Sequence, residues 1–387
     1  MTITLAACGD DDSADTDSDS GAMTTEATDT DSDSADTDSD SGAMTTEAEA
    51  DSDSDSGAMT EASGFDCADV PATELGGELT VYSGRSEELV APLIECFEER
   101  SDVDVTVRYA GSEELALQIS EEGESTGADV FFSQTSGALG FLEGEGRLVE
   151  LPAETLDQVP EEYRSPTGSW VGTSGRVRVF VYNTETVEDA ELPATIDDVL
   201  DPSWAGRLAV APSNASFQDF VAAMLLERGE EETAAFLDGL TALDPRIEAN
   251  NTAIVDAVGR GEVDAGLVNH YYGVLALKED PTLPIANHFF PQGDLGSFVL
   301  VAGAGILDAG ADHEEQAQAF VDFLLSTPAQ EFFATETGEY PLAGGVAPPE
   351  GLPDLSGVGI PGYDEGRLGE AIEDAARLIE QSGLSAG

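Results

Sequence analysis

From Gly77 onward the sequence alternates short apolar segments with amphipathic ones, and this alternation leaves few architectures open. Leu79 to Ser83 has the composition of a strand, and Ser86 to Glu99 places leucine, valine, isoleucine and phenylalanine at helical spacing. A second strand with valine at alternate positions, a second helix and a third strand over 128–133 follow. Repeated strand–helix units with short connections predict an α/β fold whose largely parallel sheet is covered on both faces.

The alternation resumes after Trp170 and predicts a second α/β unit of similar size. The predicted elements are strands at 177–182, 207–211, 265–268 and 296–307, and helices at 217–228, 231–240, 252–259, from 271, at 313–326, 327–335 and 364–382. Ligands of open α/β sheets bind beyond the carboxyl ends of strands, close to helix N-termini. We therefore expect binding residues in the loops 83–86, 133–136, 172–176, 213–216, 250–251 and 269–272.

The first 64 residues differ from the rest in composition. They hold 19 of the 80 acidic residues and no lysine or arginine, and the segment Ser13–Ala27 recurs as Ser34–Ala48. Such a segment has too little apolar surface to fold, so we predict a disordered acidic tether over residues 9–64. The remaining 323 residues still carry 61 acidic against 14 basic residues. This charge excludes nucleic acid and anionic membrane surfaces as partners, and we interpret it as adaptation to a salty medium.

The three cysteines divide into one near the start and a separate pair. Leu5–Ala6–Ala7–Cys8 resembles the lipobox of bacterial lipoproteins, so residues 1–8 are interpreted as the end of a lipoprotein signal with Cys8 as the lipidated residue. Cys67 and Cys96 then pair as a disulfide in an oxidising compartment, or else remain two buried thiols. We expect an extracytoplasmic protein held at the membrane by the lipid alone, because no segment approaches 20 apolar residues.

The loop Asn269-His270-Tyr271-Tyr272 stands out because a predicted strand ends there and a helix begins. Adjacent tyrosines at such an edge either bind a ligand or pack between core and rim, and the residues alone leave both open. His270 also stays open as an auxiliary ligand. No nucleophile elbow, HExxH motif or P-loop occurs, which argues against an enzyme.

From Gly77 to its end the chain resembles the ferric-iron-binding periplasmic proteins of ABC importers. The similarity rests on the order and spacing of LTVYSGRSEEL, GADVFFSQ, SGRVRVFVYN, NNTAIVDAVGRGEVDAGLVNHYYG and EYPL. It implies an α/β, two-lobed periplasmic-binding-protein fold (Venus flytrap, type II) with interleaved lobes. The N-lobe would comprise 77–172 plus 300–350, and the C-lobe 173–299 plus 351–387.

The resemblance also implies a function and a site. Tyr271 and Tyr272 would bind Fe³⁺ through their phenolates, and the iron would be the transported ligand rather than a resident cofactor. A companion anion, phosphate or carbonate, would be held by Ser174, Gly175, Asn251 and Asn269. Locally, Asn251 has the place of a helix N-cap, and Ser174–Gly175 that of a turn with free backbone donors.

Two departures from the family pattern concern the opposite wall of the cleft. Many members carry a histidine in the first loop and a glutamate after the third strand, both iron ligands. This chain has Ser86 and Gln134 there, with Arg85 as a further residue expected to line the cleft. The expected partners are a membrane permease and a small inorganic ligand, bound by a monomer. The alternative is the same fold binding a phosphate-like or phosphonate anion without iron.

Overall fold

The computed structural model describes residues 65–358 and 367–384, which belong to one compact unit. The predicted tether at 9–64 and the predicted lipidation site Cys8 lie outside the described residues. Within those residues, no helix combines the length and the apolar character that a membrane crossing requires.

The described part of the chain forms ten strands and eleven α-helices, with short 3₁₀ helices between them. The strands are β1 (Glu78–Ser83), β2 (Asp104–Tyr109), β3 (Val130–Ser133), β4 (Val171–Asn183), β5 (Leu208–Val210), β6 (Arg246–Ile247), β7 (Ala265–Asn269), β8 (Ile285–His288), β9 (Val299–Ile306) and β10 (Tyr340–Pro341). The helices are α1 (Glu87–Ser101), α2 (Ser112–Glu122), α3 (Ser136–Gly144), α4 (Ala153–Leu156), α5 (Ala215–Arg228), α6 (Glu230–Ala242), α7 (Asn251–Gly259), α8 (His270–Glu279), α9 (Glu314–Leu324), α10 (Thr327–Thr335) and α11 (Leu368–Ser382).

The strands follow the order β2-β1-β3-β9-β4-β7-β5-β6, with β8 and β10 also paired to β4. The two outer groups, β2-β1-β3 and β7-β5-β6, are parallel, as the strand–helix alternation predicts. The central strands β9 and β4 run antiparallel to their neighbours, so the prediction of a largely parallel sheet holds only for the two wings. These long central strands join the two α/β units of a two-lobed fold.

Strand β4 is longer than predicted and contains the segment expected to be a loop. Ser174 pairs with Ala302 of β9 on one side and with Pro341 of β10 on the other, in the interior of the strand. The expectation that Ser174–Gly175 forms a turn with free backbone donors is therefore wrong. The polar residues suggested a loop, but they alternate with apolar ones. That pattern is typical of a buried strand with one polar and one apolar face.

The buried apolar side chains form three clusters. One takes its residues from 70–177 and 299–358 and fills the first α/β unit. The other two take theirs from 179–300 and 368–384 and cover the two faces of the second sheet wing. Val358 packs with the first cluster, and the Tyr340 hydroxyl donates to the Pro353 carbonyl, so the chain leaves the N-lobe core later than the predicted boundary at 350. The exact limits of the lobes stay a prediction.

A disulfide joins Cys67, ahead of β1, to Cys96 in α1, with Cα atoms 5.6 Å apart. Cys96 is buried among the apolar residues of α1, so the bond attaches the start of the described chain to the N-lobe core. The cross-link closes a loop with a sequence separation of 29, which restricts the unfolded chain.

Removing this disulfide should lower the free energy of unfolding by about 3 to 4 kcal/mol, because a loop of this length loses its closure entropy in the unfolded state. The comparison is between the Cys67→Ser, Cys96→Ser double variant and Cys8→Ser, which makes the same chemical change outside the cross-link. Urea unfolding in non-reducing buffer measures both. Equal stabilities of the two proteins would show that the cross-link contributes nothing.

Candidate functional site

The polar site forms where the carboxyl ends of three parallel strands meet. Strands β5, β6 and β7 run in the same direction, so the helices that follow them, α5, α7 and α8, begin at one edge of the sheet. Asn214 caps α5 by accepting from the Ser216 N–H, and Asn250 caps α7 by accepting from the Ala253 N–H. The N-cap of α7 is thus Asn250 and not Asn251 as predicted, because Asn251 is already the first helical residue.

One face of β4 supplies the site's positive charge. Ser174, Arg176 and Arg178 occupy alternate positions of the strand, so their side chains point to the same side of the sheet. All three are buried in a strand whose other residues are largely apolar. The three side chains therefore form a row along β4, from its N-lobe end toward the part of the strand that pairs with β7.

Arg178 connects two of the converging segments, the start of α5 and the end of β7. Its guanidinium donates to the Ser216 hydroxyl at 3.2 Å, to the Asn269 side-chain oxygen at 3.3 Å and to the Leu267 carbonyl at 3.0 Å. Burial lowers the pKa of Arg178 to about 10, although the nearby Tyr272 and Asp219 act in the opposite direction. The arginine therefore stays charged at neutral pH and holds a positive field inside the site.

Tyr271 and Tyr272 lie side by side at the start of α8. Their rings stack with centroids 4.1 Å apart at an angle of 30°. Tyr271 is buried and Tyr272 is half-buried. Burial and the neighbouring Tyr272 raise the pKa of Tyr271 well above its usual 10, while Arg176 acts to lower it. Without a metal, Tyr271 is a neutral phenol, and a strong Lewis acid is needed to take its proton.

His270 is not available as an auxiliary ligand. Its Nδ1 accepts from the Val177 N–H at 3.0 Å, and its Nε2 lies 2.9 Å from the Gly338 carbonyl, to which it donates. Burial lowers the pKa of His270 to about 4, against weaker opposing effects led by Glu339, so the imidazole is neutral. Gly338 has φ +66° and a Cβ there would lie 3.1 Å from Val274, which explains why a glycine makes this contact.

Arg85 and Ser174 are held in a buried ion-pair network. Arg85 donates to the Glu339 carboxylate at 2.6 Å and to the Ser174 hydroxyl at 2.7 Å, and Ser174 in turn donates to Glu339 at 2.7 Å. The side chains of Arg85 and Glu339 are fully buried. The expectation that Arg85 lines the cleft is not met, and the Ser174 hydroxyl already has its partners inside the protein.

Asn251 and Asn269 lie together, as predicted, at the edge of the β7 wing. The Asn251 amide nitrogen donates to Asn214 at 3.3 Å and to the Ser216 hydroxyl at 3.1 Å. Its own side-chain oxygen is buried and has no partner among the described residues. Asn269 accepts from Arg178, so both amides belong to one connected polar cluster with Ser216.

Ser86 and Gln134 are the two predicted site residues that belong to the N-lobe. Ser86 is exposed at the N-cap of α1 and its side chain makes no capping hydrogen bond. Gln134 follows β3, and its backbone carbonyl accepts from the Arg176 guanidinium, which links the N-lobe loop to β4. The Gln134 side-chain oxygen is buried and unpartnered among the described residues. Neither residue supplies an anionic oxygen.

Four residues in or beside the site were not singled out from the sequence, although the first falls in the predicted loop 172–176: Arg176, Arg178, Asp219 and Glu339. For the two arginines a signal exists, since polar residues at every second position of an apolar run indicate a strand with one polar face. Asp219 falls within a predicted helix, where an acidic residue is usually interpreted as solvent-exposed. Glu339 is distant in sequence from Arg85, Ser174 and Arg176, so only the fold brings it to them.

Comparisons with known proteins identify the family of the chain. Residues 125–364 match the family model described as bacterial extracellular solute-binding protein. The Fe(3+)-binding periplasmic protein of Serratia marcescens is 33% identical over 309 residues, covering 79% of this chain and 90% of that protein. The major ferric iron-binding protein of Neisseria meningitidis serogroup B is 31% identical over 320 residues, covering 81% and 95%.

Solved structures give the same result. The crystal structure of iron-bound HitA from Pseudomonas aeruginosa superposes with a TM-score of 0.73 at 34% identity, covering 79% of this chain and 99% of that one. A Trichodesmium protein in complex with iron and citrate gives a TM-score of 0.70 at 28% identity, with the same coverage. The chain belongs to the bacterial extracellular solute-binding protein family, among relatives that are named as ferric-iron-binding proteins.

Proposed function

We propose that this protein is the extracytoplasmic substrate-binding component of an ABC transporter, which captures Fe³⁺ with a companion anion between its lobes and delivers it to a membrane permease. One observation carries the proposal: two stacked tyrosines at the end of β7 face the buried cations Arg176 and Arg178. The relatives named for ferric iron support the same cargo.

The chemistry of the residues suits a hard, highly charged ion. Fe³⁺ favours anionic oxygen, and its field removes the proton from a phenol whose pKa is far above neutral. Among residues 65–358 and 367–384, no group of three or more His, Cys, Asp or Glu side chains is arranged to hold a metal. The tyrosine pair is therefore the feature of the described site that accounts for iron.

The charge of the site calls for a companion anion. Glu339 and Arg85 neutralise each other, and Arg176 and Arg178 leave two further positive charges close to the tyrosines. Ferric ion with two phenolates adds one more. Phosphate or carbonate would balance this positive charge. Asn251 and Asn269 lie at the edge of the sheet where the anion would bind, and the N-termini of α5 and α7 are directed at the same edge.

The lobes would close on this site. The N-lobe, 77–172 plus 300–350, and the C-lobe, 173–299 plus 351–387, are supported by separate apolar clusters, apart from the later exit of the chain near Val358. The central strands β4 and β9 connect them, and such connections bend as a hinge when a ligand is captured. The closed form would then dock with the permease.

We also propose where the protein acts and in what state. The protein acts as a monomer, outside the cytoplasm, tethered to the membrane through a lipid on Cys8 and the acidic segment that follows it. It binds and releases its cargo without converting it, as its relatives are binding proteins. The related periplasmic proteins support the location.

Replacing either tyrosine should abolish the iron site. Tyr271→Phe and Tyr272→Phe each remove one phenolate, so we expect loss of the visible phenolate-to-iron absorbance and an affinity lower by at least ~100-fold, about 2.7 kcal/mol. Titration with ferric citrate measures both quantities. Tyr182→Phe is the matched control, because Tyr182 is a partly buried C-lobe tyrosine in β4 whose pKa burial also raises.

Two outcomes would contradict the proposal. If the parent protein gains no visible absorbance with ferric ion but binds phosphate or a phosphonate, the alternative receptor for a phosphate-like anion is correct. If both tyrosine variants bind ferric ion like the parent, the tyrosines pack and do not ligate.

Iron binding should weaken as pH falls. Each phenol that binds Fe³⁺ gives up a proton, so the logarithm of the binding constant should rise by about 2 per pH unit between pH 6 and 8. In either phenylalanine variant, residual binding should show a slope nearer 1. Competition with a chelator of known pH dependence measures the slope, and a flat profile in the parent would exclude phenolate ligation.

Asn251→Ala should weaken iron binding through the anion. The substitution removes an amide whose nitrogen donates to Asn214 and to the Ser216 hydroxyl, so the polar cluster that would hold the anion loses a support and the anion loses affinity first. Added phosphate or carbonate should then restore iron affinity at higher concentration by mass action. If neither anion restores binding, Asn251 does not act through a companion anion.

A further inference from the structure

Asp219 is a buried acidic residue that the site described so far does not use. It lies in the second turn of α5 and is 6% exposed. Among the described residues, none forms a hydrogen bond with its carboxylate, and no arginine or lysine forms an ion pair with it. An ionised carboxylate left in this state is costly unless a cation meets it.

The position of Asp219 follows from its neighbours on the helix. Ser216, three residues earlier, lies on the same face of α5 and contacts both Arg178 and Asn251. Phe220, the next residue, lies under the Arg178 guanidinium at 5.7 Å. The face of α5 that carries Asp219 is therefore turned toward the polar cluster.

The same two cations face Asp219 and the tyrosines. Arg178 interacts electrostatically with Asp219 and Tyr272, and Arg176 with Asp219 and Tyr271. Arg176 and Arg178 are two positions apart on one face of β4, so the groups that interact with them lie along that face. Asp219 lies on the C-lobe, as do both tyrosines.

We propose that Asp219 supplies a third protein oxygen to the ferric ion, beside Tyr271 and Tyr272. The inference deepens the proposed function and rests on it. The carboxylate takes the role that an anionic ligand after β3 would have, which Gln134 does not provide. The iron is then held by three anionic oxygens from one lobe, with the companion anion and water completing its shell.

The electrostatics of Asp219 agree with this role. Burial raises the pKa of Asp219 to about 7, and the exposed Glu113 on α2 acts in the same direction, while Arg176 and Arg178 act against it. A carboxylate in such a place gains most when a trivalent cation arrives. With Asp219 bound, iron and its three protein oxygens are neutral, and the two arginines are left to hold a dianion.

The test is Asp219→Asn, which keeps the shape and removes the anionic oxygen. Iron affinity should fall at least ~10-fold, since even residues that only support a ligand cost that much when replaced. The phenolate-to-iron band should move to longer wavelength, because an iron that loses an anionic ligand accepts phenolate charge more readily. Glu113→Gln is the matched control, as it removes one nearby carboxylate on the exposed N-lobe side, and its band should not move.

The outcomes separate this inference from the proposed function. An Asp219→Asn protein with the parent's band position refutes the ligand role, whatever its affinity, provided that the parent itself shows the band. A parent without the band refutes the proposed function instead. Unfolding of the iron-free proteins checks the fold, and Asp219→Asn should be at least as stable as the parent because a buried charge is removed. Asp219→Ala repeats the spectral test if the asparagine variant does not fold.

Discussion

The buried carboxylate of Glu339 is the point on which three distant segments of the chain meet. Arg85 from the loop after β1 and Ser174 from β4 bind it directly, and Arg176 approaches it at 3.9 Å. Burial opposes ionisation, but the two guanidinium groups and the Ser174 and Arg85 hydrogen bonds lower the pKa of Glu339. A buried charge without such partners would cost several kcal/mol, so this network fixes the relative positions of the first loop, β4 and β10. Because two arginines share one carboxylate, Arg176 keeps a positive field directed at the tyrosines.

The arginines beside the site are unusual in a chain that contains so few basic residues. Only 14 lysines and arginines accompany 80 acidic residues, yet Arg85, Arg176 and Arg178 are all buried beside the candidate site. The acidic exterior attracts cations, whereas the buried arginines favour anions. A ferric ion that arrives with an anion satisfies both fields, which a bare cation or a bare anion does not.

The sequence predicted the elements well and the site in part. Helix α10 was predicted with its observed limits, and the strand–helix boundary at Asn269 was correct, because apolar periodicity is strong there. The loop expected at 172–176 became the interior of β4, since its polar side chains serve one buried face of a strand. Asp219 could not be distinguished from a solvated helix residue without the contacts of Arg178. Glu339 required the fold itself, as its partners Arg85 and Ser174 are 254 and 165 positions away.

The distribution of oxygen donors over the lobes bears on how iron would leave. Tyr271, Tyr272 and Asp219 all lie within 173–299, the proposed C-lobe, whereas Ser86 and Gln134 of the proposed N-lobe bring no anionic oxygen. Opening of the lobes would thus uncover the metal without breaking a bond between protein and iron. Release then depends on steps that opening allows, namely loss of the companion anion and return of protons to the phenolates. A binding protein with ligands on both lobes would instead lose part of its coordination as soon as it opened, so the proposed ligand set would couple transport to anion and proton chemistry more than to hinge motion.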